Sequence, residues 1–174
     1  LTWTELMRNE IKNYMDYPIK KTYAVGSPLF KDHKLDENRN ESILFATKSP
    51  KTYPHNSFIS EMIAIEAKKN NIDFTVRIHP LAITQKFINE SDKILKLSKK
   101  YGFKVLLPNI DSNKNLLNKD YDKIANDSFY ESTLFISVFS TMNLESVNLG
   151  INTINIDFQD EERKDISPRM DIKY

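Results

Sequence analysis

The chain contains no cysteine. Disulfides, thiolate catalysis and cysteine-ligated zinc are therefore excluded, and the absence fits a reducing compartment. Glycine is almost as scarce, with three in 174 residues. Gly26, Gly102 and Gly150 stand so far apart that neither GxGxxG nor GxxxxGK[ST] can be written. The dinucleotide fingerprint and the P-loop are both out, so a phosphate site must use another device. No apolar run approaches the ~18 residues of a membrane span. Neither sign of charge dominates: 25 Lys and Arg face 24 Asp and Glu, for a net charge of +1. A dedicated nucleic-acid binder would carry a basic surplus, so nucleic acid is not an expected partner. The opening LTWTELMRNEIK lacks the layout of a signal peptide, and a start at Leu1 suits a piece of a longer protein.

What is present is an ordinary globular balance, 40% hydrophobic and 28% charged. The length suits one domain with a sizeable core. Thr4–Tyr14 shows loose helical spacing, and residues 1–21 read as a lead-in helix and linker. Thr22–Val25 is β-prone. Ser42–Ala46 (SILFA) predicts a short strand, and turn-rich TKSPKTYPHN follows it. Ser57–Lys69 predicts a helix with Phe58, Met62 and Ile65 on one face. Ile72–Ile78 predicts a strand ending at His79-Pro80, and Ser91–Tyr101 a helix capped by Ser91. Phe103–Leu107 predicts a strand and Asp120–Tyr130 a helix. Phe135–Phe139 then begins a strand, short helix and strand, with Gly150 closing the helix. Residues 159–174 form a polar tail. Short strands alternating with helices of about ten residues imply βαβ units. The expected fold is α/β, a doubly wound, mainly parallel sheet spanning 22–158. In such sheets ligands bind beyond the carboxyl ends of strands. That singles out Thr47–Asn56, Arg77–Pro80 and Ser140-Thr141.

Each segment has a bland reading beside a chemical one. Ser140-Thr141 lies between an apolar strand and a helix. A hydroxyl there caps the helix, and the same N–H groups can attract a phosphate. Pro80 cannot donate to a ladder, so the chain leaves the sheet there and His79 is left at a strand's carboxyl end. It is either a loop histidine bonded to a neighbouring carbonyl, or a phosphate donor or general acid/base. Arg77 is either an edge charge or a crevice residue. Glu145, early in the next helix, suits the helix dipole or could accept ribose hydroxyls. Thr47, Lys48 and Ser49 are either turn chemistry or crevice lining. His33, His55 and His79 are far apart, no HExxH or DxD occurs, and no metal or other cofactor is expected.

The order VGSPLFKD, SILFATKSP, TVRIHP and LFISVFSTMNLESVNLGINTINI resembles the carboxyl-terminal half of GT-B glycosyltransferases. It is most similar to bacterial surface-polysaccharide enzymes of sialyl- and polysialyltransferase-like, Kdo-transferase-like and CDP-glycerol-polymerase-like type. There a G-x-P segment opens the nucleotide-binding domain, matched by Gly26, Ser27 and Pro28. A [KR]-x-H-P element is matched by Arg77 to Pro80. A [ST]-[ST]-x-x-x-E-[AS]-x-x-x-G element is matched from Ser140 to Gly150. Asn152 stands where the family often has proline.

The resemblance implies a Rossmann-like half that binds a CMP-, CDP- or UDP-linked sugar as substrate without a metal. His79 would contact the donor phosphate or base, Ser140 and Thr141 the phosphate, and Glu145 the ribose; Thr47 would lie on the first crevice loop. It also implies an amino-terminal partner domain carrying the catalytic base, so this part alone would bind a nucleotide and not transfer sugar. Lipopolysaccharide or capsule synthesis would place the protein in the cytoplasm, with peripheral association at the inner face of the membrane. Two alternatives stay open. One is a nucleotide-sugar 2-epimerase-like enzyme of the same fold, and the other is a non-catalytic α/β interaction module.

Overall fold

A computed structural model describes residues 8–9, 23, 35, 38–108, 110–111, 116–117, 119–138 and 140–156. The chain divides into two compact units, Leu1–Lys34 and Leu35–Tyr174. Of the first, residues 8 and 9 are helical. The rest of the expected lead-in helix lies outside the described residues. So do His33, Gly26-Ser27-Pro28, Phe139, the tail 159–174 and most of the β-prone Thr22–Val25.

The second unit holds β1 (Ser42–Ala46), α1 (Asn56–Lys69), β2 (Asp73–Arg77), a 3₁₀ turn (Pro80–Ile83), α2 (Ile88–Tyr101) and β3 (Lys104–Leu106). After these come β4 (Ile110–Asp111), β5 (Leu116–Leu117), α3 (Lys119–Glu131), β6 (Leu134–Ser137), α4 (Met142–Asn148) and β7 (Asn152–Asn155). Five strands form one sheet in the order β3-β2-β1-β6-β7. Every pair in it is parallel, with Ala46 level with Arg77 on one side and Ser137 on the other. The expected doubly wound α/β fold is what the chain adopts. The antiparallel β4–β5 pair is an addition that the strand pattern did not announce.

The side-chain period of two explains how β1 serves both layers. Phe45 joins Ile59, Ala64, Ala67, Ile94, Val76 and Ile136 on the α1–α2 face. Leu44 and Ala46 join Phe129, Phe135 and Ile151 on the other face, where Met142 and Leu149 of α4 and its following turn pack. Phe129 meets Phe135 edge to face at 5.1 Å, a favoured aromatic geometry. At its amino end β1 is fastened to β6 through Thr133. The Thr133 hydroxyl accepts the Ser42 N–H at 2.9 Å and donates to the Ser42 carbonyl at 3.0 Å. Gly102 and Gly150 take φ of +85° and +76° at helix ends, the left-handed conformation in which glycine has no Cβ penalty.

Two helix details differ from the sequence expectation. Phe58, Met62 and Ile65 do share one face, but it points to solvent at 58%, 52% and 46% exposure. The buried face of α1 is Ile59, Ser60, Ala64 and Ala67. Small residues at 60, 64 and 67 let the helix lie close to the sheet. Ser60 is accommodated because its hydroxyl donates to the Asn56 carbonyl at 2.8 Å. Helix α2 starts at Ile88 instead of being capped by Ser91. Ser91 is buried in the first turn and donates to Ala82 and Ile88 carbonyls.

This packing predicts that Ala64→Leu, which adds volume against the sheet, lowers stability by about 1–3 kcal/mol. Met62→Gln, on the outward face, should change it by less than about 0.5 kcal/mol. Urea unfolding of the two variants measures both.

Candidate functional site

Strand β1 lies between β2, its successor in the chain, and β6, which the chain reaches only after crossing from β3. This reversal makes the carboxyl ends of β1 and β6 the topological switch point, where open α/β sheets bind ligands. Helix α1 leaves β1 towards one face, and α4 leaves β6 towards the other. The crevice between them is bordered by all three segments singled out in the sequence.

Thr47 and His79 are joined directly. The Thr47 N–H donates to the Arg77 carbonyl at 3.0 Å, extending the β1–β2 ladder by one step. The buried Thr47 hydroxyl then accepts the His79 N–H at 2.8 Å. Lys48 follows, with its backbone held from both sides by Asn56. The Lys48 N–H donates to Asn56 Oδ1 at 2.9 Å, and Asn56 Nδ2 donates to the Lys48 carbonyl at 3.0 Å. Asn56 Nδ2 also reaches the Tyr53 carbonyl at 2.9 Å. Asn56 is 1% exposed. Its only sequence signal was its place at the end of a turn-rich segment before a helix, and its role as a clamp was missed.

His79 is half-buried, and Nδ1 accepts the Leu81 N–H at 3.1 Å. The proton of the neutral ring therefore sits on Nε2, as a donor. Burial, and then the nearby Lys48 charge, push the imidazole pKa below its ordinary value. A neutral donor can hold a phosphate oxygen. It is poorly placed as a base, since one nitrogen is engaged and the other already carries the proton. Pro80 opens the 3₁₀ turn, where its missing N–H costs nothing.

Arg77 connects the two halves of the crevice. Its Nη1 lies 3.6 Å from Met142 Sδ, at the start of α4. Because β1 stands between β2 and β6, on the order of 10 Å from strand to strand, the Arg77 and Met142 side chains meet across the end of β1. The RxHP element and the hydroxyl pair are thus brought to one crevice. At α4, Ser140 supplies the cap: its hydroxyl oxygen accepts the Met142 N–H at 3.2 Å, leaving its own hydrogen to donate. Thr141 is exposed and makes no side-chain cap bond. The helix has seven residues, and the Asn143 and Leu144 N–H groups are engaged by Ser140 and Thr141 carbonyls. Positive charge in the crevice thus rests on Arg77 and Lys48 more than on the α4 dipole.

Asn143 anchors this turn and was also missed. It accepts the buried Ser137 hydroxyl at 2.6 Å and donates to Asn155 Oδ1 at 2.8 Å. Glu145 stands near Tyr130 of α3; burial and then the Glu145 charge raise that phenol's pKa. Among the described residues no three His, Cys, Asp or Glu side chains gather as a metal-holding group.

A cavity of about 480 Å³ opens at the opposite, amino-terminal edge of the sheet, lined by residues that include Lys68, Asp73, Tyr101, Lys104 and Glu131. The carboxyl ends of α1, α2 and α3 converge there, and their negative dipole ends disfavour phosphate.

Two measurements test this geometry. Thr47→Val keeps the shape but leaves the His79 N–H without its acceptor, an expected loss of about 1–3 kcal/mol in urea unfolding. His79 should titrate below the ordinary histidine value of about 6.5 when followed by NMR. The folded state then binds this proton less tightly than the unfolded chain. Its stabilising contribution is complete above about pH 6.5 and is lost as the pH falls from there through the folded value. His79→Gln should flatten that part of the stability profile.

No family model and no curated protein matches the chain. Among solved structures, E. coli heptosyltransferase WaaC with ADP-2-deoxy-2-fluoro heptose is similar, with a TM-score of 0.50 and 12% sequence identity. The match covers 87% of this chain and 43% of that one, so the chain spans less than half the length of the enzyme. No described helix is long and apolar enough to cross a membrane. The five parallel strands with helices on both faces form a Rossmann-like α/β fold similar to that of a GT-B glycosyltransferase.

Proposed function

We propose that this chain is the nucleotide-sugar-binding half of a glycosyltransferase, and that its switch-point crevice holds the donor phosphates. The observation that carries the proposal is the contact of the Arg77 guanidinium, from the RxHP element, with Met142 at the start of α4. That contact ties the strand that leads to His79 to the helix that follows Ser140, which supports a shared seat for the phosphates. The fold likeness supports the architecture, and the solved heptosyltransferase carries an ADP-linked sugar analogue. The sequence resemblance supports a CMP-, CDP- or UDP-linked donor and a role in bacterial surface-polysaccharide synthesis.

In this reading the chain stabilises the leaving group. As the glycosidic C–O bond breaks, negative charge grows on the departing phosphate. Arg77 and Lys48 offset it, while His79 and Ser140 donate hydrogen bonds from positions set before the reaction. His79 takes part as a neutral hydrogen-bond donor that keeps its Nε2 proton, and its bond to the phosphate strengthens as that charge develops. No metal is invoked. A partner domain supplies the acceptor site and the base, so this chain alone binds the donor without transferring sugar.

Thermal unfolding with CMP, CDP, UDP and ADP, each at a hundredfold excess over its Kd, tests the proposal. One nucleotide should add about 2.7 kcal/mol, a rise of roughly 5–10 °C in Tm for a chain of this size. Arg77→Ala should weaken that nucleotide at least tenfold, about 1.4 kcal/mol. If no nucleotide shifts Tm even at millimolar concentration, the chain is a non-catalytic α/β module and the proposal fails.

A further inference from the structure

Helix α1 has fourteen residues and runs antiparallel to the strands, so its amino-terminal N–H groups face the carboxyl edge of the sheet. A ligand phosphate in the crevice has this helix end as a competing seat, through the partial positive charge and free N–H groups of a helix start. In this chain the position is filled. Glu90, in the first turn of α2, accepts the Ser57 N–H through Oε1 at 2.8 Å. The carboxylate comes from 33 positions away in sequence, and the residue is 9% exposed. Its second oxygen lies 3.8 Å from Lys93 Nζ. One buried carboxylate thus serves the start of α1 and the first turn of its own helix. Ser57 adjoins Asn56, whose side chain clamps the Lys48 backbone. The Glu90 carboxylate therefore stands beside the residue that holds the Lys48 backbone, at the border of the crevice.

We propose that Glu90 is a resident anion that keeps ligand phosphate off α1. The phosphate is thereby confined to the β6 side of the switch point, over Arg77, His79 and Ser140. The ligand's chemistry rests on the nucleotide-binding reading; the exclusion by Glu90 does not. The arrangement orders the crevice: the helix end on its α1 border is met by Glu90, while Arg77, His79 and Ser140 border its β6 side.

The test uses the ¹⁵N-labelled chain titrated with inorganic pyrophosphate, in the wild type, Glu90→Ala and Glu90→Gln. In the wild type, amide shifts are expected at Lys48, His79 and Ser140, with Ser57 and Phe58 silent. In Glu90→Ala, Ser57 and Phe58 should join the response. In Glu90→Gln the acceptor remains but the charge is gone, so switch-point binding should tighten severalfold while Ser57 stays silent. Wild-type shifts at Ser57 and Phe58 as large as those at Lys48 would overturn the proposal. So would their silence in Glu90→Ala. If Glu90→Ala does not fold, unchanged pyrophosphate affinity in Glu90→Gln overturns it and tighter binding supports it. A wild type silent at all five amides, beside a Glu90→Ala variant that responds at Ser57 and Phe58, would uphold Glu90's role and remove the switch-point phosphate site.

Discussion

The bond between the Thr47 hydroxyl and the His79 N–H, at 2.8 Å, is the constraint on which the crevice depends. Strand β2 has to stop before Pro80, because proline cannot donate to a ladder. The N–H just before it would lose its acceptor as the strands diverge. Thr47 provides one from its side chain, having used its backbone N–H to extend the β1–β2 pairing to the Arg77 carbonyl. One residue therefore ends the ladder without an orphaned donor and sets the direction in which His79 leaves the sheet. The imidazole then turns its Nδ1 to Leu81, which leaves Nε2 as the donor.

Around that point the crevice is held by side chains bonded to backbone. Asn56 grips Lys48, and Asn143 links the ends of β6 and β7 to the first turn of α4. Such bonds are individually modest, but they convert two loops into fixed geometry. Loop rigidity matters in a protein whose glycine-poor sequence cannot wrap backbone around a phosphate. Here the crevice is bordered by charged side chains, Arg77 and Lys48 among them. The N-termini of α1 and α4 are occupied from within, by Glu90 and by the Ser140-Thr141 turn.

The two ends of the sheet consequently differ in character. At the carboxyl edge, among the described residues, stand Arg77 and Lys48, a neutral imidazole donor and the Ser140 hydroxyl. At the amino edge three helices present their negative ends around a cavity of mixed lining. A void alone does not identify a binding site when the field inside it opposes the expected ligand. The reversal of strand order between β1 and β6 gathers these side chains where the strands part.

Much of this was legible in the sequence, because it rests on local rules. The apolar run SILFA, the alternation in DFTVR, the glycines closing α2 and α4, and the proline after His79 act within a few residues, and they determined the strands, the carboxyl ends of those helices and the parallel α/β class. What tertiary structure alone decided were relations between distant segments. The outward turn of Phe58, Met62 and Ile65 followed from the close approach that Ser60, Ala64 and Ala67 permit, which periodicity alone does not distinguish. The Asn56 clamp, the Asn143 anchor and Glu90 on α1 use common polar residues whose partners lie elsewhere in the chain. Most of all, Arg77 and Met142 are 65 positions apart. Only the strand order, set by long-range packing on both faces of β1, brings an arginine from one motif to the helix of another.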